Sequence, residues 1–220
     1  MMLTSKIFYD ISLAINKNMV AYKNKASKSP KIETISSHSI DGVHETKFTF
    51  NAHTGTHVDF PLHFIENGKT SNDYSIDSFM GKCQVLDLTN CKESIKETDL
   101  INFHIKENEI ILLKTHNSPL DKFDFDFVYL SESGANYLKS KNIKAVGIDQ
   151  LGIERSQPGH PTHKTLLSND ILIYEGLNLC NIDPDYYEFI GLPLAIDNVE
   201  ASLVRASLIQ LKKVINPHFE

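Results

Sequence analysis

Residues 53–64, HTGTHVDFPLHF, place three histidines, an aspartate, a glycine and a proline within twelve positions. This stretch opposes a helix, because Gly55 lies between two β-branched threonines and a proline follows shortly after. We therefore predict an extended and bent segment. Since alternate side chains of an extended chain share a face, we expect His53, His57 and Asp59 to point the same way.

The spacing of the first two histidines requires a bend. A straight strand would hold His53 and His57 about 13 Å apart, at roughly 3.3 Å per residue. Two imidazoles that each bind one metal ion at about 2.0 Å cannot span that separation easily. Gly55 permits the bend, and its missing side chain would leave space beside a metal for water or substrate. Pro61 would then turn His63 back towards the same site.

A second group of candidate ligands lies far along the chain. In residues 161–177, PTHKTLLSNDILIYEGL, His163 precedes an apolar strand and Glu175 ends it. A buried carboxylate without a partner would be costly, and metal ligation would remove that cost. An exposed strand-end carboxylate is the alternative for Glu175. A single histidine is likewise more often exposed or hydrogen-bonded than a ligand, but the clustering in residues 53–64 favours a metal site.

Composition and charge exclude several classes of protein. With 220 residues, of which 41% are hydrophobic and 23% charged, we expect one folded domain over residues 1–220. The net charge of -6 and the lysines scattered along the chain argue against a nucleic-acid partner. The three cysteines form no C-x-x-C pair, and no apolar run approaches the roughly 20 residues that span a bilayer. We therefore expect a cytoplasmic protein without disulfides or membrane association.

Short apolar runs bounded by turn residues dominate the chain and predict a sheet-rich α/β fold with few helices. Strands are predicted at residues 6–13, 45–52, 84–88, 110–114, 127–130, 144–148, 171–174, 186–195 and 204–211. A helix is predicted at 132–141 after the capping residue Ser131, and a second near Thr98. Residues 128–130, this first helix and residues 145–148 predict a strand–helix–strand unit with a parallel crossover.

The segment HTGTHVDFPLHF resembles the H-x-G-T-H-x-D-x-P-x-H-F signature of the metal-dependent cyclase family, which includes bacterial kynurenine formamidases and isatin hydrolases. The resemblance continues in order through YLSESGANYL, AVGID and HKTLLSNDILIYEGL, which begin at residues 129, 145 and 163. It implies a single domain of the swivelling β/β/α type with two metal ions. One ion would be held by His53, His57 and Asp59, and Asp59 would bridge to a second held by His163 and Glu175. His63 would be left as the catalytic acid and base, and His160 would be an exposed or supporting residue.

These residues suggest a reaction. Two divalent ions that share a carboxylate would lower the pKa of a bound water enough to supply hydroxide near neutrality. This hydroxide would cleave the carbon–nitrogen bond of a small amide, formamide or lactam, and His63 would pass the proton to the leaving nitrogen. The mixed ligand set suits zinc first and manganese second, with ferrous iron also compatible. The alternative is a catalytically inactive, metal-containing protein of the same fold that binds a small molecule.

The chain departs from the family near its N-terminus. Family members that hydrolyse N-formylkynurenine have a segment resembling P-x-[WY]-P-G-D after the first strand, whereas residues 19–24 read MVAYKN and the chain has no tryptophan. Tyr22 could offer its aromatic face to the substrate, or it could be an ordinary packed tyrosine. The resemblance also implies a homodimer or a larger homo-oligomer, in which the N-terminal loop closes a neighbour's site.

Overall fold

The computed structural model describes residues 4–119 and 121–213, and these residues form twelve strands and four α-helices. The strands are β1 (Thr4–Asp10), β2 (Lys31–Ser36), β3 (Glu45–Thr49), β4 (His57–Asp59), β5 (Met80–Asp87), β6 (Ser94–Ile95), β7 (Ile110–Lys114), β8 (Tyr129–Leu130), β9 (Ala145–Ile148), β10 (Leu172–Glu175), β11 (Tyr186–Pro193) and β12 (Ala201–Lys213). The helices are α1 (His38–Asp41), α2 (Glu97–Leu100), α3 (Glu132–Ser140) and α4 (Pro161–Leu167). None of the helices in these two ranges has the length and hydropathy that crossing a bilayer requires.

Seven of the strands close into a mixed barrel. Their hydrogen-bonded order is β12–β11–β5–β7–β9–β10–β4, and β4 also pairs with β12 to complete the ring. The run β5–β7–β9–β10 is parallel, whereas the other neighbours in the ring are antiparallel. Strand β1 lies outside the ring and extends the sheet along β12. The connections between the parallel strands contain α2, α3 and α4 in turn, and α3 packs against both of the others.

Strands β7 and β9, in the middle of the parallel run, are buried on both faces, which explains their uninterrupted apolar runs. In β7, Ile110 and Leu112 belong to the apolar cluster inside the barrel. The alternate residues Ile111 and Leu113 belong to a second cluster, between the sheet and the helices. Because successive side chains of a strand point to opposite faces, a strand covered on both sides must be apolar at every position.

All nine predicted strands are present, with shifted ends. Strand β7 has the predicted bounds, and β4 lies within the segment that was predicted to be extended. Helix α3 follows Ser131, whose hydroxyl accepts a hydrogen bond from the Gly134 backbone N–H as a helix cap should. Helix α2 corresponds to the second predicted helix but spans only one turn. Strands β2 and β6 and helices α1 and α4 were not predicted.

The predicted strand–helix–strand unit is wrong in its pairing. Strand β8 does not join β9 but pairs in parallel with β6, in a separate two-stranded sheet. Both edges of β9 are occupied by β7 and β10. Helix α3 therefore belongs to the longer crossover from β7 to β9.

The hairpin of β2 and β3 stands apart from the barrel. The two strands pair with each other in a sheet of their own. Every residue of β3 is exposed, and Ile35 and Phe48 are among the exposed apolar side chains. A two-stranded ribbon with so little buried surface has little stability of its own. The homodimer implied by the family resemblance would offer it a partner surface, and that oligomeric state stays a prediction.

Replacing Gly176 by alanine should destabilise the end of the barrel where β10 meets the turn before β4. Gly176 has φ +69°, and a Cβ atom there would lie 2.3 Å from the backbone oxygen of Gly55. Because backbone cannot move aside as a flexible side chain can, we expect the free energy of unfolding to fall by about 3 kcal/mol, measured by urea denaturation. The matched control is Gly159→Ala, since Gly159 has φ +79° but no atom within 4 Å of the added Cβ. The free energy of unfolding of this control should fall by only about 1 kcal/mol. An equal fall in both variants would contradict the steric argument.

Candidate metal centre

Strand β4 carries two of the predicted ligands into the barrel wall. His57 and Asp59 are separated by one residue and are both buried, while Val58 between them points into the apolar core. His57 lies directly opposite Glu175 in the antiparallel pairing of β4 with β10. The pairing register therefore brings the remote carboxylate to the predicted histidine.

The predicted bend at Gly55 is confirmed. Gly55 has φ +63°, and the turn it makes brings the rings of His53 and His57 to 5.0 Å between centroids. The expectation that the missing side chain leaves space beside a metal is wrong. A Cβ atom on Gly55 would point away, towards Met19 at 3.1 Å and Ile15 at 3.5 Å in the N-terminal loop.

The backbone oxygen of Gly55 has a more direct role. It accepts a hydrogen bond of 2.9 Å from Nδ1 of His57. Since a carbonyl oxygen only accepts, Nδ1 carries the proton, and Nε2 is the nitrogen that faces the carboxylates. Nε2 lies 3.5 Å from Oδ1 of Asp59 and 3.4 Å from Oε2 of Glu175.

Several buried ligand atoms at this position have no hydrogen-bond partner in the described part of the chain. They are Nε2 of His57 and both carboxylate oxygens of Asp59. Nδ1 of His53 approaches Oδ1 of Asp59 at 3.0 Å, but not in a direction that makes a hydrogen bond. Buried polar atoms are almost always paired, because an unpaired one forfeits its hydration without compensation. A cation bound among these atoms would remove that cost, so the donor set fits a metal.

The two remote residues complete the group. His163 lies in α4, and its Nε2 is 4.0 Å from Oδ2 of Asp59 and 3.5 Å from Oε1 of Glu175. Glu175 is the last residue of β10, and its Oε1 also accepts a hydrogen bond of 2.6 Å from the Ile153 backbone N–H. The structure thus gathers the five predicted ligands around one point. Asp59 lies between one pair, His53 and His57, and the other pair, His163 and Glu175.

His63 lies beside this group, on the short turn Pro61–His63. Its ring centroid is 4.2 Å from that of His53 and 5.9 Å from that of His163. Burial, reinforced by the neighbouring imidazoles, lowers the pKa of His63 to about 4, against the opposing effect of Asp59. Its imidazole is therefore neutral near pH 7. Potential ligand atoms of Asp59, His63 and His163 lie within 4.8 Å of one another, so His63 has the position of a ligand as well as of a base.

The electrostatic field among the candidate ligands stabilises positive charge. Burial opposes ionisation of His163, but the carboxylates of Glu154 and Glu175 outweigh it and raise its pKa to about 9. Burial likewise opposes the charge of Glu175, but the adjacent imidazoles of His163 and His57 outweigh it and hold the pKa of this carboxyl well below its usual range. A site that attracts protons onto its imidazoles also attracts a metal ion, and the metal would displace those protons.

Two further side chains contact the cluster and were not predicted. Oε2 of Glu154 accepts hydrogen bonds from Nδ1 of His163 at 2.6 Å and from its backbone N–H at 3.2 Å. Oε1 of Glu200 lies 3.5 Å from Nε2 of His53. Neither residue belongs to a strand or helix, so periodicity gave no indication of them. The exposed His160 lies 3.9 Å from Oε2 of Glu154, and potential ligand atoms of Glu154, His160 and His163 lie within 4.8 Å of one another, so the place of His160 outside the ligand set stays a prediction.

A cavity of about 320 Å³ opens above the cluster. The buried Glu175 and the half-buried His63 line it, as does Tyr22 of the N-terminal loop, and the side lined by this loop is called its mouth because it includes the exposed Lys25. The Tyr22 ring also packs edge-on against Phe123, with 5.2 Å between centroids. Tyr22 is therefore both a packed side chain and a wall of the cavity, and its contact with a substrate stays a prediction.

Comparison with known proteins agrees with this geometry. The family model described as "Putative cyclase" matches residues 9–155. A kynurenine formamidase of Bacillus cereus is 30% identical over 199 residues, which cover 90% of this chain and 94% of that protein. A solved structure described as a predicted metal-dependent hydrolase from Bacillus stearothermophilus is 40% identical, with a TM-score of 0.85, and the match covers 93% of this chain and 98% of that one.

A more distant neighbour supports the fold alone. Isatin hydrolase A from Labrenzia aggregata has a TM-score of 0.80 at 18% identity, and the match covers 93% of each chain. The family model spans about two thirds of this sequence, including all of HTGTHVDFPLHF. On the strength of this match and of the full-length relatives, the chain belongs to the Putative cyclase family.

Proposed function

We propose that this protein is a metal-dependent amidohydrolase that cleaves the carbon–nitrogen bond of a small amide, formamide or lactam. The observation that carries the proposal is the set of buried, unpartnered ligand atoms on His57 and Asp59 beneath a substrate-sized cavity. The kynurenine formamidase and metal-dependent hydrolase relatives support the same class of reaction. An N-formyl aryl amine resembling N-formylkynurenine is the first substrate class to test.

The residues present fit two divalent ions, zinc first and manganese second. His53, His57 and Asp59 would hold one ion, and Asp59, His163 and Glu175 would hold the other. When bound, such ions supply Lewis acidity at the substrate carbonyl and acidify water to a pKa near neutrality. The Gly55 carbonyl and the Glu154 carboxylate would fix the ring orientations of His57 and His163 through their Nδ1 atoms.

His63 is the residue with the properties of a proton carrier. Its ring lines the cavity, and its lowered pKa keeps one nitrogen free to accept a proton near pH 7. It would take the proton from the attacking water and return it to the leaving nitrogen, so that the amine departs uncharged.

The first prediction concerns the metal. Chelation should abolish hydrolysis of an N-formyl aryl amine, and zinc or manganese should restore it. Asp59→Asn should reduce the metal content measured by elemental analysis to about zero, because the carboxylate shared by the two proposed ligand sets would lose its charge. The control is Asp149→Asn, which removes an equally buried carboxylate that is bonded to Thr115 instead. Stoichiometric metal and tight ligand binding without product would instead identify the chain as an inactive binding protein.

The second prediction separates the two possible roles of His63. If His63 acts as the acid and base, the His63→Asn variant should have a kcat that is lower by about 100-fold or more, while its metal content stays that of the unchanged protein. The exposed His104→Asn variant is the control and should keep full activity. Loss of metal from the His63→Asn protein would show that this imidazole is a ligand and would reject the assigned role.

The third prediction concerns Glu154. Because its carboxylate orients His163 and makes that imidazole more basic, Glu154→Gln should weaken metal binding by about 10- to 100-fold. Competition with a fluorescent chelator measures this affinity. Glu109→Gln is a matched control, since Glu109 is also buried and also accepts a hydrogen bond from a backbone N–H, that of Lys106. An unchanged affinity in the Glu154→Gln protein would exclude the orienting role.

A further inference from the structure

The mouth of the cavity is lined by lysines. Lys23, Lys25 and Lys28 line the side formed by the loop that carries Tyr22. Residues 11–32 contain five lysines and no aspartate or glutamate, in a chain whose net charge is -6. The expectation that the lysines are scattered is therefore wrong for this segment, and three of them converge on one opening.

These three charges are not neutralised by acidic side chains. In residues 4–119 and 121–213, none of the three lysines forms an ion pair with a carboxylate. Their contacts are neutral, since Nζ of Lys28 donates to Oδ1 of Asn51 at 3.1 Å and Nζ of Lys23 lies 5.2 Å from the centre of the Tyr22 ring. The carboxylates in the same cavity already have partners, because Glu154 and Glu175 both contact His163. The mouth therefore presents uncompensated positive charge.

The backbone at the mouth is held in an unusual conformation. Lys23 has φ 54° and Asn24 has φ 52°, so two successive residues with side chains lie in the left-handed region. Such a conformation is unfavourable, for lysine more than for asparagine, and it persists where surrounding contacts impose it. Those contacts include the packing of Tyr22 on Phe123 and the close approach of the Tyr22 ring to Gly152. The lysines are thus presented by a fixed turn and not by a loose strand.

We propose that Lys23, Lys25 and Lys28 select a substrate that carries a carboxylate or similar anionic group in addition to its scissile carbon–nitrogen bond. This proposal rests on the amidohydrolase function, because it concerns the same cavity. The cavity, at about 320 Å³, accommodates a small molecule and not a polyanion such as a nucleic acid. Lysine ammonium groups at such an opening raise the local concentration of anions and add ionic hydrogen bonds to a carboxylate.

The test compares an anion with its neutral amide in metal-loaded protein. Binding of 2-aminobenzoate and of 2-aminobenzamide is measured by calorimetry for the unchanged protein and for the double variant Lys23→Gln/Lys25→Gln. The matched control is Lys17→Gln/Lys31→Gln, which removes the same charge from the same segment at exposed positions that do not line the cavity. Because metal ions also attract carboxylates, the effect of the variants decides the question, not the affinity of the anion alone.

The preference is the ratio of the Kd for 2-aminobenzamide to the Kd for 2-aminobenzoate. We expect this ratio to be about tenfold lower in the double variant at the mouth than in the unchanged protein. We expect the control to change by less than about twofold, as surface charges do. In turnover, the KM for 2-formamidobenzoate should rise while kcat is retained. No change in the preference, an equal weakening of both ligands, or an equal effect in the control would overturn the proposal. The binding measurement is independent of turnover, so a lack of hydrolysis would reject the amidohydrolase function and leave this result to stand separately.

Discussion

The pairing of β4 with both β10 and β12 is the constraint on which the site depends. It closes the barrel with a strand of only three residues, and this pairing fixes two polar side chains, His57 and Asp59, in the barrel wall. His57 and Asp59 share the site-facing side, while Val58 belongs to the core. Strand closure thus buries ligand atoms that no other group in residues 4–119 and 121–213 satisfies by a hydrogen bond. A bound cation would stabilise the folded chain as well as equip it for chemistry, because it has no equivalent site in the unfolded state.

The topology explains how residues more than a hundred positions apart meet there. Strand β10 is the last of four parallel strands, and Glu175 lies at its carboxyl end. Strand β4 runs antiparallel to it, which places His57 opposite that end. The crossover from β9 to β10 contains α4, which begins at the carboxyl end of β9. His163, in the first turn of α4, therefore lies at the same end of the sheet. In parallel sheets, ligands bind beyond the carboxyl ends of strands for the same reason: the crossovers and their helices begin there.

The sequence predicted those parts of the site that depend on local pattern and on the family motif. The bend at Gly55 followed from the spacing of two histidines, and the strands followed from short apolar runs. The position of Glu154 did not follow, because its role depends on the fold that brings it to His163. Helix α4 was missed because it has only seven residues, too few for a clear helical periodicity, and ends four residues before the apolar strand β10. The sequence also did not show where a side chain on Gly55 would point, because that direction depends on the sign of its φ angle and on the packing of the N-terminal loop.

Charge is distributed unevenly between the molecule and its cavity. The chain as a whole is acidic, whereas the floor of the cavity favours cations and its mouth carries unpaired lysines. A small anion is therefore repelled by most of the surface and attracted to one opening, where a low-dielectric wall strengthens the field. The acidic residues of the floor do not cancel this attraction, because their carboxylates contact histidines and would also bind the metal ions. The segment around Tyr22, which departs from the formylkynurenine-hydrolysing pattern, is thus also the segment that would set the charge that a substrate of the proposed enzyme meets first.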